Sequence, residues 1–131
     1  MTARADYDLI TQLVPERSRV LDLGCGDGEL LLRLHDKGCT GLGVEIEPSE
    51  VLAAIRSGVS VIELDIDEQL DEFADDSFDV VILSRTLQAV HRPTEVLSQI
   101  RRIAHQAIVS MPNFVVWRNR ARILRGRMPI S

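Results

Sequence analysis

With 131 residues, 45% of them hydrophobic and 27% charged, the chain has the length and make-up of one globular domain and not of a disordered or fibrous polypeptide. No apolar run approaches the roughly 18 residues of a membrane helix, and the opening Met1 to Asp8 is too polar for a signal peptide. Its two cysteines, Cys25 and Cys39, have neither the number nor the spacing of a zinc site or a disulfide framework, so the expectation is a cytoplasmic protein without metal or membrane contact. The net charge of −5 hides an asymmetry: all 20 acidic residues lie at or before Glu95, whereas the segment from Phe114 carries Arg118, Arg120, Arg122, Arg125 and Arg127 and no acid. The acidic body argues against nucleic acid as a partner, because neutralising phosphates needs a positive field over the docking face.

Tyr7, Leu9, Ile10, Leu13 and Val14 recur at helical spacing, predicting a helix from about Asp6 to Val14 that Pro15 stops. A short buried strand, Arg19 to Leu23, follows, then a helix from about Gly28 to Lys37 closed by Gly38. The second strand is Gly41 to Glu45. Pro48 opens a helix that Gly58 ends, and Val59 to Leu64 is a third strand. After an acidic stretch and the turn Asp75-Asp76-Ser77, Phe78 to Ser84 is the strongest strand in the chain. A helix from about Thr94 to Ala104 and a fifth strand, Ala107 to Met111, complete the alternation, and Pro112-Asn113 ends it. Phe114, Trp117, Ala121 and Leu124 then fall on one side of a basic helix over about 114–127. Apolar strands alternating with amphipathic helices predict one α/β domain over 1–131, with a mostly parallel sheet of strand order 3-2-1-4-5 covered on both faces. Right-handed crossovers place a ligand at the carboxyl ends of the strands, where the order reverses.

That point is occupied by Gly24-Cys25-Gly26-Asp27-Gly28, three alternate glycines between the first strand and its helix. Such a loop lets a ligand approach the backbone, and the helix N-terminus behind it favours a carboxylate or a phosphate. Two ligands meet that description, a dinucleotide and S-adenosylmethionine. A dinucleotide loop reads G-x-G-x-x-G; here Glu29 holds the place of the third glycine, and its carboxylate would repel a pyrophosphate. Asp22, two residues before the first glycine, suits a ligand with a cationic amino group beside its carboxylate. The candidates on this loop are Asp22, Gly24, Cys25, Gly26 and Asp27, with Cys25 a small loop residue and not a nucleophile.

The ends of the other strands carry matching groups. Glu45 ends the second strand, where a carboxylate can accept both hydroxyls of a ribose, and Ile46 can pack on an adenine face. Asp65 ends the third, where it can take the exocyclic amino group of adenine while the Ile66 amide meets a ring nitrogen. Asp65, Asp67, Glu68, Asp71 and Glu72 also read as a solvated acidic run. Ser84 ends the fourth strand near the expected methyl position, with Arg85, Leu87 and Gln88 behind it. His91 is the only histidine near the crevice, and it receives no role.

Val20 to Glu29, Gly43-Val44-Glu45, Asp65 and Phe78 to Leu83 resemble a class I S-adenosylmethionine-dependent methyltransferase, with its Rossmann-like fold. A narrower likeness lies in Ser84-Arg85-Thr86-Leu87-Gln88-Ala89-Val90, Met111-Pro112-Asn113-Phe114, Trp117-Arg118 and Arg125-Gly126-Arg127-Met128-Pro129, which are similar to the methionine biosynthesis protein MetW family. The resemblance runs from about Asp6 to Pro129. It implies S-adenosylmethionine or S-adenosylhomocysteine as cofactor and a role in methionine biosynthesis together with a homoserine O-acyltransferase; it establishes no methyl acceptor and no catalytic residue. It also implies a C-terminally truncated form lacking the last two strands. The fifth strand would then present an open edge, to be covered by the tail or paired with a second subunit in a homodimer. Two functions fit: a methyltransferase of methionine metabolism, or a non-catalytic regulatory module that uses the same pocket and holds a partner. A nicotinamide-dependent oxidoreductase is disfavoured by Glu29.

Overall fold

In a computed structural model, which describes residues 3–84, 90–110, 114–118 and 122–123, the strands join one sheet of seven in the order β3-β2-β1-β4-β5-β6-β7. The elements are α1 (Ala3–Leu13), β1 (Arg19–Leu23), α2 (Glu29–Asp36), β2 (Thr40–Glu45), α3 (Pro48–Ser57), β3 (Val61–Glu63), a short 3₁₀ turn (Leu70–Glu72), β4 (Phe78–Ser84), α4 (Pro93–Ile103), β5 (Ala104–Ser110), β6 (Phe114–Arg118) and β7 (Arg122–Ile123). The first five strands pair in parallel in the predicted order 3-2-1-4-5. This is the Rossmann-like α/β architecture.

Strand periodicity divides the core. Leu21, Leu23, Val81 and Leu83 project to one face, where Val96, Ile100 and Ile103 of α4 cover them. Val20, Val80, Ile82 and Ile108 project to the other, under Ile10 and Val14 at α1 and Leu30, Leu31 and Leu34 of α2. Lys37 pins the end of α1 to α2 by donating from Nζ to the carbonyls of Thr11 and Val14, which are among the carbonyls a helix end leaves unpaired. β3 is shorter than predicted because Val59 N–H is turned back to the Ala54 carbonyl at 3.2 Å, part of the closure of α3 at Gly58. β5 starts three residues earlier than predicted, since Ala104 is already extended (φ −136°, ψ 158°) where α4 stops.

The tail departs from expectation. Where a helix over about 114–127 is expected, Phe114–Arg118 pairs antiparallel with β5 from Ser110↔Phe114 to Gln106↔Arg118, and β7 pairs with β6 in turn; the rest of that range lies outside the described residues. Two further strands from the tail therefore follow β5, and the edge of β5 is paired within the chain. Phe114, Val115, Val116 and Trp117 are strand formers, and the unpaired N–H and C=O groups of β5 offer them a ladder.

Candidate functional site

β1 delivers the chain to the middle of the sheet, between β2 and β4, and the glycine loop leaves from its carboxyl end. Gly24 and Cys25 both donate N–H groups to the Val44 carbonyl, at 2.8 and 3.0 Å, tying the loop to β2. Gly26 (φ +58°) and Gly28 (φ +88°) take left-handed conformations that only glycine adopts readily. Both positions are also crowded: a Cβ on Gly26 would lie 3.1 Å from Glu50 Oε2, and one on Gly28 would lie 2.6 Å from Val59 Cγ2. Gly28 is the N-cap of α2, and the exposed Asp27 accepts the N–H of Glu29 at 3.1 Å. Glu29 itself does not face the ligand side: its carboxylate is taken by Arg33 at 3.0 Å, one helical turn on, and Arg33 also pairs with Asp8.

Glu45 ends β2 with its carboxylate beside the glycines. Oε1 accepts Gly26 N–H at 2.9 Å, and Oε2 accepts the N–H groups of Ile46 and Glu47 at 3.1 Å each. A carboxylate has about four acceptor directions, and three are used. Breaking the Gly26 bond would release an amide donor and an acceptor oxygen together. Glu45 borders a cleft of about 230 Å³ whose walls include Gly24, Ile46, Asp65, Ile66 and His91. Ile46 is 56% exposed there, a large apolar side chain held at the mouth.

Asp22 is the anomaly of the site. It lies in β1, in register with Gly43 and Ile82, and is only 3% exposed. No hydrogen bond to its carboxylate is found among the described residues. Burial, with the Glu45 charge adding to it, pushes its pKa up to about 8. Cys25 packs against Gly43, where a Cβ would lie 2.5 Å from the Cys25 sulfur. Burial, aided by the Asp22 and Glu45 charges, pushes the Cys25 thiol up to about 12, which leaves it a thiol and a poor nucleophile.

Of the sequence candidates, Gly24, Glu45, Ile46, Asp65 and Ile66 line one cleft, while Asp22, Cys25, Gly26 and Asp27 lie on the strand and loop that open beside it. Ser84 ends β4 in register with Ser110; Arg85, Leu87 and Gln88 lie outside the described residues. Sequence reasoning missed Val44, Leu64, Asp67 and Val90 as cleft residues. Asp67 in particular reads as one of a solvated acidic run, yet it accepts from the backbone N–H groups of His91 and Arg92, 24 and 25 residues away. A signal was available only in the topology, which brings the segment after β4 next to the end of β3.

The fold with this loop and cleft is that of the S-adenosylmethionine-dependent methyltransferases. The chain superposes with a TM-score of 0.71, at 21% identity, on one such enzyme from Mesorhizobium loti, covering 80% of this chain and 52% of that one. It superposes equally, at 0.71 and 21%, on the [4+2]-cyclase SpnF, covering 80% of this chain and 42% of that one. The sequence profile described as methionine biosynthesis protein MetW matches residues 4–131. The bifunctional methionine biosynthesis protein MetXA/MetW of Rhodopirellula baltica is 38% identical over 139 aligned positions, which take in 98% of this chain and 22% of that protein. The chain belongs to the MetW family. It spans about half of the two solved chains and about a fifth of the bifunctional relative.

Proposed function

We propose that this chain binds S-adenosylmethionine or S-adenosylhomocysteine in the cleft at the carboxyl ends of β1, β2 and β3, and serves methionine biosynthesis together with a homoserine O-acyltransferase. The observation that carries the cofactor reading is Asp22, a buried carboxylate with no hydrogen-bond partner among the described residues, at the foot of a left-handed glycine loop. Without a partner the buried carboxyl is held in its protonated form, and the ammonium of the methionine end would draw it to the ionised form and pair with it. The loop amides would face its carboxylate, Glu45 the ribose hydroxyls, Ile46 one face of the adenine, and Asp65 with the Ile66 amide its polar edge. When bound, S-adenosylmethionine supplies an electrophilic methyl group on a sulfonium. Ser84, which ends β4, would lie near the transferred methyl group.

A second reading, a non-catalytic module that holds the acyltransferase, is favoured by the MetXA/MetW relative, in which the family's sequence is joined to another within one polypeptide. Reconstitution separates the two. If the chain raises homoserine O-acyltransferase activity and no candidate acceptor yields S-adenosylhomocysteine, the module reading holds; turnover to S-adenosylhomocysteine supports the methyltransferase. Competition tests the cofactor itself: S-adenosylmethionine should bind and nicotinamide dinucleotides should not displace it, and tight dinucleotide binding would refute the assignment.

A further inference from the structure

We infer that Asp67 is a positioning residue that sets the adenine-facing half of the cleft by holding its far wall in place; this rests on the cofactor reading above. Its Oδ1 accepts the N–H groups of His91 at 3.0 Å and Arg92 at 2.9 Å, and its Oδ2 lies 3.2 Å from the His91 nitrogen. Asp67 also donates its own N–H to Asp65 Oδ1 at 2.9 Å, and Asp65 N–H is held by Gln69 Oε1 at 2.8 Å. One hydrogen-bonded chain therefore runs from the group assigned to adenine, through Asp67, to the two amides that precede α4. Ile66, Val90 and His91 border the cleft beside that chain. The amides lie at a helix N-terminus, where N–H groups lack intrahelical acceptors and carry partial positive charge. Arg92, the N-cap of α4, makes no side-chain cap of its own. Its guanidinium lies against Glu68 and Glu95 at 3.5 and 3.6 Å, so the attachment to Asp67 is through backbone and not through an ion pair. Asp67 also lines the cleft, but because both its oxygens serve these amides it acts on a ligand through the position of Val90 and His91.

The test titrates the full chain and its D67A and D67N variants with S-adenosylhomocysteine and with the hypoxanthine counterpart S-inosylhomocysteine. Asparagine keeps the one oxygen that takes both amides; alanine keeps neither bond. D67A should bind S-adenosylhomocysteine about tenfold more weakly and lose its preference for adenine over hypoxanthine, while D67N should retain both affinity and preference. The inference is overturned if D67A keeps its preference, if it loses affinity for both ligands equally, or if D67N is as weak as D67A. Should D67A not fold, Asp67→Ser, too short to reach both amides, is judged by the same criteria. A wild-type chain that binds neither ligand fails the cofactor reading and this inference with it. A wild type that binds while the variants give one of those overturning results fails this inference alone.

Discussion

Asp22 is a residue whose burial works against the fold. In the folded chain its pKa is about 8 against an ordinary 3.8. Between those values the native carboxyl stays protonated while the unfolded one ionises, so its burden on stability grows as pH rises from about 4 and is complete above about 8. Asp22→Asn, which cannot ionise, should therefore stabilise the ligand-free chain at pH 8 by on the order of 1–2 kcal/mol. Thermal melts should show that gain shrinking toward pH 4. The same substitution should weaken S-adenosylmethionine binding, since a neutral amide cannot pair the ammonium. Glu45 has the opposite balance: half-buried and satisfied by three amides, it stabilises its own turn. Glu45→Ala should weaken S-adenosylmethionine binding by roughly 1.5–3 kcal/mol, the range for a charge-assisted hydrogen bond, and leave a cooperatively folded domain by circular dichroism.

At the scale of elements, the passage from β1 to α2 is set by Gly28 as much as by any side chain. Gly28→Ala would place a Cβ at a left-handed φ of +88° and 2.6 Å from Val59 Cγ2. The two effects together should cost roughly 2–4 kcal/mol, read as a shift in the denaturant midpoint. At the opposite ends of the strands, Arg19 holds Asp79 through paired bonds at 3.0 and 3.2 Å, and the hydrogen bonds from Arg19 keep the Asp79 carboxyl below its ordinary range. The stability this contributes is present above the unfolded carboxyl pKa and is lost as pH falls through the lower native one. Both side chains are more than a third exposed, so Arg19→Ala should lower the thermal midpoint only slightly at neutral pH and less again in high salt. The central strands were legible because Val20 to Leu23 and Phe78 to Leu83 are uninterrupted apolar runs bounded by turn residues. Phe114–Arg118 and Arg122–Ile123 were not, because the apolar residues of the tail satisfy helical spacing locally, and these two segments become strand only when β6 pairs with the edge of β5 and β7 with β6.

For the whole molecule, the order of strands made the site legible: once β1 lies between β2 and β4, Glu45 and Asp65 must end beside the glycine loop. What escaped were contacts that depend on side-chain direction, such as Glu29 turning to Arg33 and Asp67 reaching the His91 and Arg92 amides. Periodicity assigns a face to a residue; it does not say which of two neighbouring donors a carboxylate will choose. The fold carries a cofactor assignment further than a reaction, since the same architecture is found in a methyltransferase and in a [4+2]-cyclase. The measurement that addresses the cofactor assignment most directly is calorimetric titration of S-adenosylmethionine into the wild-type chain and into Asp22→Asn at neutral pH. Saturable one-site binding to the wild type, with a clear loss of affinity in the variant, is the predicted result. No saturable binding to the wild type, or equal affinity in the two proteins, would contradict it.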